Sequence, residues 1–156
     1  MEIKTPRILY SALIWLDKMN IPHCFLKESN VWEIHYKGHY ILMPNFTEDD
    51  EIALIYPVFI KGEDKEIQDM VYEFALSIQG EELRECNIDK IDNDLCQVSQ
   101  LWKFHGVRKI YKYQLVDILN RIVKCGEYFE LSLQESYEML FNPPPEVLEE
   151  ILRSVK

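Results

Sequence analysis

At 156 residues, 47% hydrophobic and 28% charged, the chain has the size and balance of one globular domain, residues 1–156, which excludes a disordered chain and a miniprotein that needs staples. Seventeen basic against 27 acidic residues leave a formal net charge of −10, a field that repels phosphate backbones and anionic lipid and favours a basic partner. No apolar stretch reaches the roughly 20 residues that span a bilayer, and Met1-Glu2-Ile3-Lys4 lacks the pattern of an export signal, so the expectation is a cytoplasmic protein with neither nucleic-acid nor membrane partners.

Thr5-Pro6 opens a first helix, with Thr as cap and Pro at the first helical position. Ile8, Leu9, Ala12, Leu13, Trp15, Leu16 and Met19 then recur at three and four, and Asn20-Ile21-Pro22 stops the run. From Ile21 to Ile60 the period becomes two. Four strands are expected near His23 to Lys27, Val31 to Tyr36, His39 to Met43 and Ile52 to Ile60. A two-residue turn at Lys37-Gly38 sets Tyr36 against His39, Ile34 against Ile41 and Trp32 against Met43, all on a core face. Val31, Glu33, His35, Tyr40 and Leu42 fall on the reverse face. Pro57 in the fourth strand cannot donate to a ladder, which predicts a bulge or a sheet edge there.

After Lys61-Gly62 the helical period returns through Ile67, Met70, Val71, Phe74, Ala75 and Ile78, with Gly80 placed to end it. Glu81 to Asn87 and Leu95 to His105 read as a hairpin around Asp89 to Asp94, with Cys96, Val98, Trp102 and Phe104 on one face. A third helix from about Lys112 to Cys125 is expected to stop at Gly126. Ser132-Leu133-Gln134-Glu135 fits a capping box for a short helix ending near Phe141. Asn142-Pro143-Pro144-Pro145 then breaks the chain before a last helix carrying Val147, Leu148, Ile151, Leu152 and Val155. The whole reads as an α+β fold, an antiparallel sheet of meander plus hairpin packed against helices in the order α-ββββ-α-ββ-α-α-α. Residues 5–125 form its core unit and 132–156 a helical extension.

Chemistry-bearing residues do not cluster along the chain. His35 and His39 have the spacing of a metal pair on a helix, but here they flank a turn on opposite sheet faces. His23 and His105 have no third ligand at useful spacing, so no metal is expected. Asp89, Asp92 and Asp94 lack the glycine and the bidentate Glu of a calcium loop. Cys24, Cys86, Cys96 and Cys125 make no C-x-x-C pair; reduced, mostly buried thiols are expected, and nothing adjacent in sequence lowers a thiol pKa. Glu48-Asp49-Asp50-Glu51 reads as a solvated loop. The stretch Trp102 to Tyr113 interleaves aromatic and basic residues, as nucleic-acid sites do, yet a strand with an aromatic core side gives the same pattern. No phosphate-binding glycine loop, G-x-S-x-G or dinucleotide fingerprint is present. The chain therefore reads as no enzyme, with no catalytic residues and no cofactor.

The element order, with Trp32-Glu33-Ile34-His35-Tyr36 turning into Tyr40-Ile41-Leu42-Met43 and the amphipathic helix from Glu63 to Ile78, resembles the secretion-chaperone-like fold of type III secretion chaperones and YbjN-like proteins. The extension from Ser132 to Lys156 and a fourth meander strand depart from that pattern. The resemblance implies a small cytoplasmic protein that binds other polypeptides, often dimerises, and is loosely tied to sensory-transduction regulation.

The expected function is thus a non-catalytic protein- or peptide-binding module, possible as a homodimer through the hairpin Leu95 to His105. Its candidate contact residues are Val31, His35, Tyr40, Leu42, Lys103, Arg108 and Lys109. Two other readings stand beside it. One is a ligand-sensing or hydrolytic domain with His35, His39, His105 or a cysteine in a pocket between sheet and helices. The other is an immunity protein that neutralises a basic toxin through its negative field.

Overall fold

The turn at Lys37-Gly38 organises the sheet. Both residues have positive φ, +49° and +80°, the backbone of a type I′ turn whose twist matches that of the strands it joins. The computed structural model describes residues 4–142 and 145–155. In it, β2 (Val31–Tyr36) and β3 (His39–Pro44) pair with Tyr36 opposite His39, Ile34 opposite Ile41 and Trp32 opposite Met43. With β1 (His23–Leu26), β4 (Glu51–Phe59), β5 (Asn87–Asp92) and β6 (Leu95–Lys103) they form one antiparallel sheet, ordered β1-β2-β3-β4-β6-β5. The α+β class stands, and so does the expected order of elements from the first helix through the hairpin and into the closing helices.

One sheet face is covered. Ile34, Tyr36, Ile41, Met43, Ile52, Leu54, Tyr56, Val58, Cys96 and Val98 share a core with residues from α1 (Arg7–Lys18), α2 (Lys65–Ser77) and α3 (Lys112–Phe141). Directed bonds fix this packing. Tyr36 donates to Asn120 of α3 at 2.6 Å, and Trp15 of α1 donates through its indole N–H to the Ile110 carbonyl at 3.1 Å. Trp32 reaches the buried Asn45 side chain at 3.1 Å.

Several expectations are corrected. Pro6 precedes α1 and supplies no side-chain cap. Instead Asp49 caps the helix from a distant loop, its carboxylate accepting from the Arg7 N–H and its carbonyl from the Ile8 N–H, both at 3.0 Å. Asp50 accepts from the Gly106 N–H at 2.6 Å and, through its carbonyl, from the Phe104 N–H at 2.8 Å. The acidic run is therefore a joint between α1, β4 and the end of β6. Orphan amides at a helix start and a tight loop need acceptors, and these carboxylates supply them.

Pro57 lies on a central strand with no register shift, opposite Gln97 of β6. The missing donor acts on the other side: β4 registers with β3 at one pair, Leu42 and Ile55, and one step along the same ladder Pro57 would face Tyr40. The hairpin sits later than expected. Glu81–Leu83 form a single 3-10 turn, and Asp89 to Asp92 are strand; Asn93-Asp94 connect the two strands.

In α2, Tyr72 is buried and Met70 is half exposed, and the helix is capped by the Asp64 side chain, which accepts from the Ile67 N–H at 3.0 Å. It ends at Ser77, before Gly80.

The largest correction concerns Gly126. The third and fourth expected helices are one helix of 30 residues that passes through this glycine. A Cβ there would stand 2.2 Å from the Tyr56 ring. Its role is close approach between α3 and β4, and Phe129 and Leu133 beyond it belong to the core. Ser132, expected as a cap, is buried within the helix and its carbonyl accepts from the Ser136 hydroxyl at 2.6 Å. A last helix, α4, spans Pro145–Val155. The expected break at Pro143 and Pro144 and the side chains of Val147, Leu148, Ile151 and Val155 lie outside the described residues.

Candidate functional site

Strand alternation leaves the second face of the sheet without helices. On β4 the residues between the buried ones are Ala53, Ile55, Pro57 and Phe59, and Phe59 is 76% exposed. Tyr40 and Leu42 of β3 lie to one side; on the other, β6 sets Leu101 beside Ala53, Ser99 beside Ile55, Gln97 beside Pro57 and Leu95 beside Phe59, and Tyr40 and Leu101 are exposed. A sheet face left to water ordinarily alternates into polar residues. Here β4 and its β3 flank stay apolar, and only the β6 side turns polar, at Gln97 and Ser99.

The expected contact residues divide. Val31, His35, Tyr40 and Leu42 share this open face by register. Val31 is buried, though apart from the main core, and His35 and Tyr40 are exposed. His35 contacts the Glu33 carboxylate at 2.6 Å and packs edge-on to Tyr40, ring centroids 5.5 Å apart. Burial pushes the Tyr40 phenol above its ordinary pKa, and the Glu33 charge and hydrogen bond add to it. Lys103 lies on the same face at the far end of β6, opposite Glu51. Arg108 and Lys109 are elsewhere, exposed on the loop that runs to Ile110, whose N–H donates to the Ser11 hydroxyl of α1 at 2.8 Å.

The basic-aromatic stretch also divides. Trp102 and Phe104 pack against the core, whereas Tyr111 and Tyr113 stack in the open at 6.2 Å and 9°. The histidines proposed for a pocket stand on separate surfaces. His39, on the covered side, is hydrogen-bonded through Nδ1 to the Tyr56 hydroxyl at 2.9 Å, and its Nε2 lies 3.2 Å from the Glu127 carboxylate of α3. Both ring nitrogens face partners that tie β3 to β4 and to the helix. His105 is exposed in a positive-φ turn. Among the described residues no group of three or more His, Cys, Asp or Glu side chains is placed to hold a metal.

The cysteines hold what residue order concealed. Cys24 is exposed, against expectation, and Cys96 is buried with its thiol on the Val58 carbonyl at 3.5 Å. Cys86, just before β5, and Cys125, midway along α3, set their thiols close enough to couple, Cys86 also reaching the Gln100 side chain at 3.8 Å and Cys125 the Glu82 carbonyl at 3.9 Å. They line a cleft of about 510 Å³ with Glu82, Arg121, Lys124 and Tyr128. The Cys86 thiol pulls the Cys125 thiol down to about 7; burial opposes, Lys124 and Arg121 assist, and Glu85 opposes. The Cys125 thiol, with burial, pushes the Cys86 thiol up. Arg121, Lys124, Cys125 and Tyr128 recur at three and four, one stripe of α3. Arg121, Lys124 and Cys125 fall within the helix expected from the sequence, but Tyr128 lies beyond its expected stop, and neither it nor the facing cysteine could be placed there.

No family model and no curated protein sequence matches the chain. Among solved structures it is similar to an uncharacterized protein from Methanothermobacter thermautotrophicus, with a TM-score of 0.57 and 17% identity over 81% of this chain and 96% of that one. It is also similar to YbjN from E. coli, described as a candidate transcription regulator, with a TM-score of 0.52 and 11% identity over 82% of this chain and 89% of that one. At such identities the likeness is one of fold: the chain has a YbjN-like fold. Among the described residues no helix is long and apolar enough to cross a membrane.

Proposed function

We propose that the protein is a non-catalytic module that seats another polypeptide against its open sheet face. The observation that carries this reading is the apolar centre of that face, Ala53, Ile55, Pro57 and Phe59, flanked by Tyr40, Leu42 and Leu101. Ala53, Ile55, Pro57 and Leu42 are partly exposed and Tyr40, Phe59 and Leu101 exposed, and apolar surface left open along a central strand favours an interaction site. The occupant presents an apolar strip of its own. The net charge of −10 favours an occupant with a basic rim and speeds its encounter. Val31, His35 and Lys103 border the strip, while Arg108 and Lys109 fall outside it. A second copy of the chain is one polypeptide that meets the apolar requirement.

The test pairs the wild type with Ile55→Lys. Sedimentation velocity at tens of micromolar reads self-association, and affinity capture from native lysate reads other partners, with the variant as the control. The expected result is either a dimer or a retained polypeptide that the variant loses. If both forms sediment as monomers and retain identical proteins, the reading is wrong.

A further inference from the structure

We propose that Cys86 and Cys125 are a reversible dithiol–disulfide pair, a modification site that reacts stoichiometrically with low-molecular-weight disulfides entering the cleft between the Glu81–Leu83 turn and α3. This rests on the geometry of the cleft and is independent of what the open sheet face binds.

Three features meet there. The two thiols face one cleft, although they come from separate elements, one ahead of β5 and one on α3, with Cys125 on the Glu82 carbonyl at 3.9 Å and Cys86 on the Gln100 side chain at 3.8 Å. Both are half-buried on the wall of a concave opening of about 510 Å³, a volume suited to a small molecule. The α3 stripe places Arg121 and Lys124 beside Cys125, facing Glu81, Glu82, Arg84 and Glu85 on the other wall; the positive charge on its own helix favours a thiolate over a thiol. Cys24 and Cys96 offer a contrast. Cys24 is exposed on β1, on the opposite sheet face from the helices, and Cys96 is fully buried in the core.

The chemistry follows the asymmetry of the pair. Cys125 carries the attacking sulfur: with a pKa of about 7 it is largely thiolate just above neutrality, while Cys86 keeps its proton and donates it. The Cys125 thiolate attacks one sulfur of a small disulfide RSSR, a Cys125–S–S–R bond forms, and RS⁻ leaves. The Cys86 proton passes to a departing thiolate, and the Cys86 sulfur then attacks the Cys125 sulfur, expelling the second RS⁻, which takes up the Cys125 proton released to solvent. The protein loses two electrons and two protons, RSSR gains both, and the products are one intramolecular disulfide and two RSH. The bond so formed tethers the segment leading into β5 to the middle of α3.

The test begins with the reduced full-length protein and oxidised glutathione at pH 7.5. After acid quench and alkylation, peptide mapping is expected to show Cys86 linked to Cys125, reversed by dithiothreitol. In Cys86→Ala the glutathione is expected to remain on Cys125 as a mixed disulfide. The alkylation rate of Cys125 as a function of pH should have a midpoint near 7 in the wild type, moving up towards the ordinary thiol value of about 8.5 in Cys86→Ala. Wild-type protein that carries glutathione on Cys24 and yields no linked Cys86–Cys125 peptide would overturn the proposal, whatever the folding of the variant. So would a wild-type alkylation midpoint that Cys86→Ala leaves unmoved.

Discussion

The two faces of one sheet use the same alternation for different ends. On β4, Ile52, Leu54, Tyr56 and Val58 are buried under α3, while Ala53, Ile55, Pro57 and Phe59 meet solvent a peptide unit away. The covered side is knit to the helices by side-chain bonds such as Tyr36 to Asn120 and His39 to Glu127. The open side has an apolar middle and a polar corner at Glu33 and His35. The difference teaches that apolar content alone does not locate a core; burial by a second layer does. Substitutions on the covered face should cost stability, and substitutions on the open face should cost association.

The sharpest way to break that contrast is Phe129→Ala. This ring is fully buried and meets Tyr72 edge-on at 6.2 Å, so its loss should lower the urea unfolding free energy by about 4 kcal/mol. Gly126→Ala comes next. Alanine raises helix propensity by about 1 kcal/mol, yet its Cβ collides with the Tyr56 ring, and the net effect should be a loss of about 2 kcal/mol. A stabilised variant would show that α3 stands off β4. Asp49→Ala removes the carboxylate that caps α1 and should cost about 1 kcal/mol, read by the same titration.

Ile55→Lys on the open face should cost only about 0.5 kcal/mol. A much larger loss would mean that this face is covered by the protein itself. At neutral pH the smallest effect is that of the buried phenols. Burial holds Tyr56 and Tyr72 up to about 12, so above about pH 10 the unfolded chain ionises first. Stability should then fall between about pH 10 and 12, and Tyr72→Phe should flatten that fall, as followed by denaturant midpoints across the range.

Much of this architecture was legible in the residues. The β2 and β3 register followed from Lys37-Gly38, because a two-residue turn leaves the flanking strands one way to pair. The opposed faces of His35 and His39 came with it. Gly126 misled, since glycine serves both as a helix stop and as a place where a ring comes close, and only the position of Tyr56 distinguishes the two. The strand at Asn87 to Asp92 was hidden by its acids, which are tolerated on a sheet edge open to water. Glu48 to Glu51 looked solvated because a capping carboxylate and a free one are alike until the distant helix start is in place. The Cys86–Cys125 pair was out of reach for the same reason: α3 must lie across the sheet before the two sulfurs face one cleft.

The single backbone pair between β3 and β4 has a mechanical consequence. It divides the sheet into two three-stranded leaves, β1-β2-β3 and β4-β6-β5, joined by one rung at Leu42 and Ile55. Bending along that seam breaks one ladder pair, whereas bending between β4 and β6 breaks a ladder nine residues long. The seam is thus the sparsest ladder of the sheet, held across by the His39 to Tyr56 bond, and the strip around Ile55 lies along it.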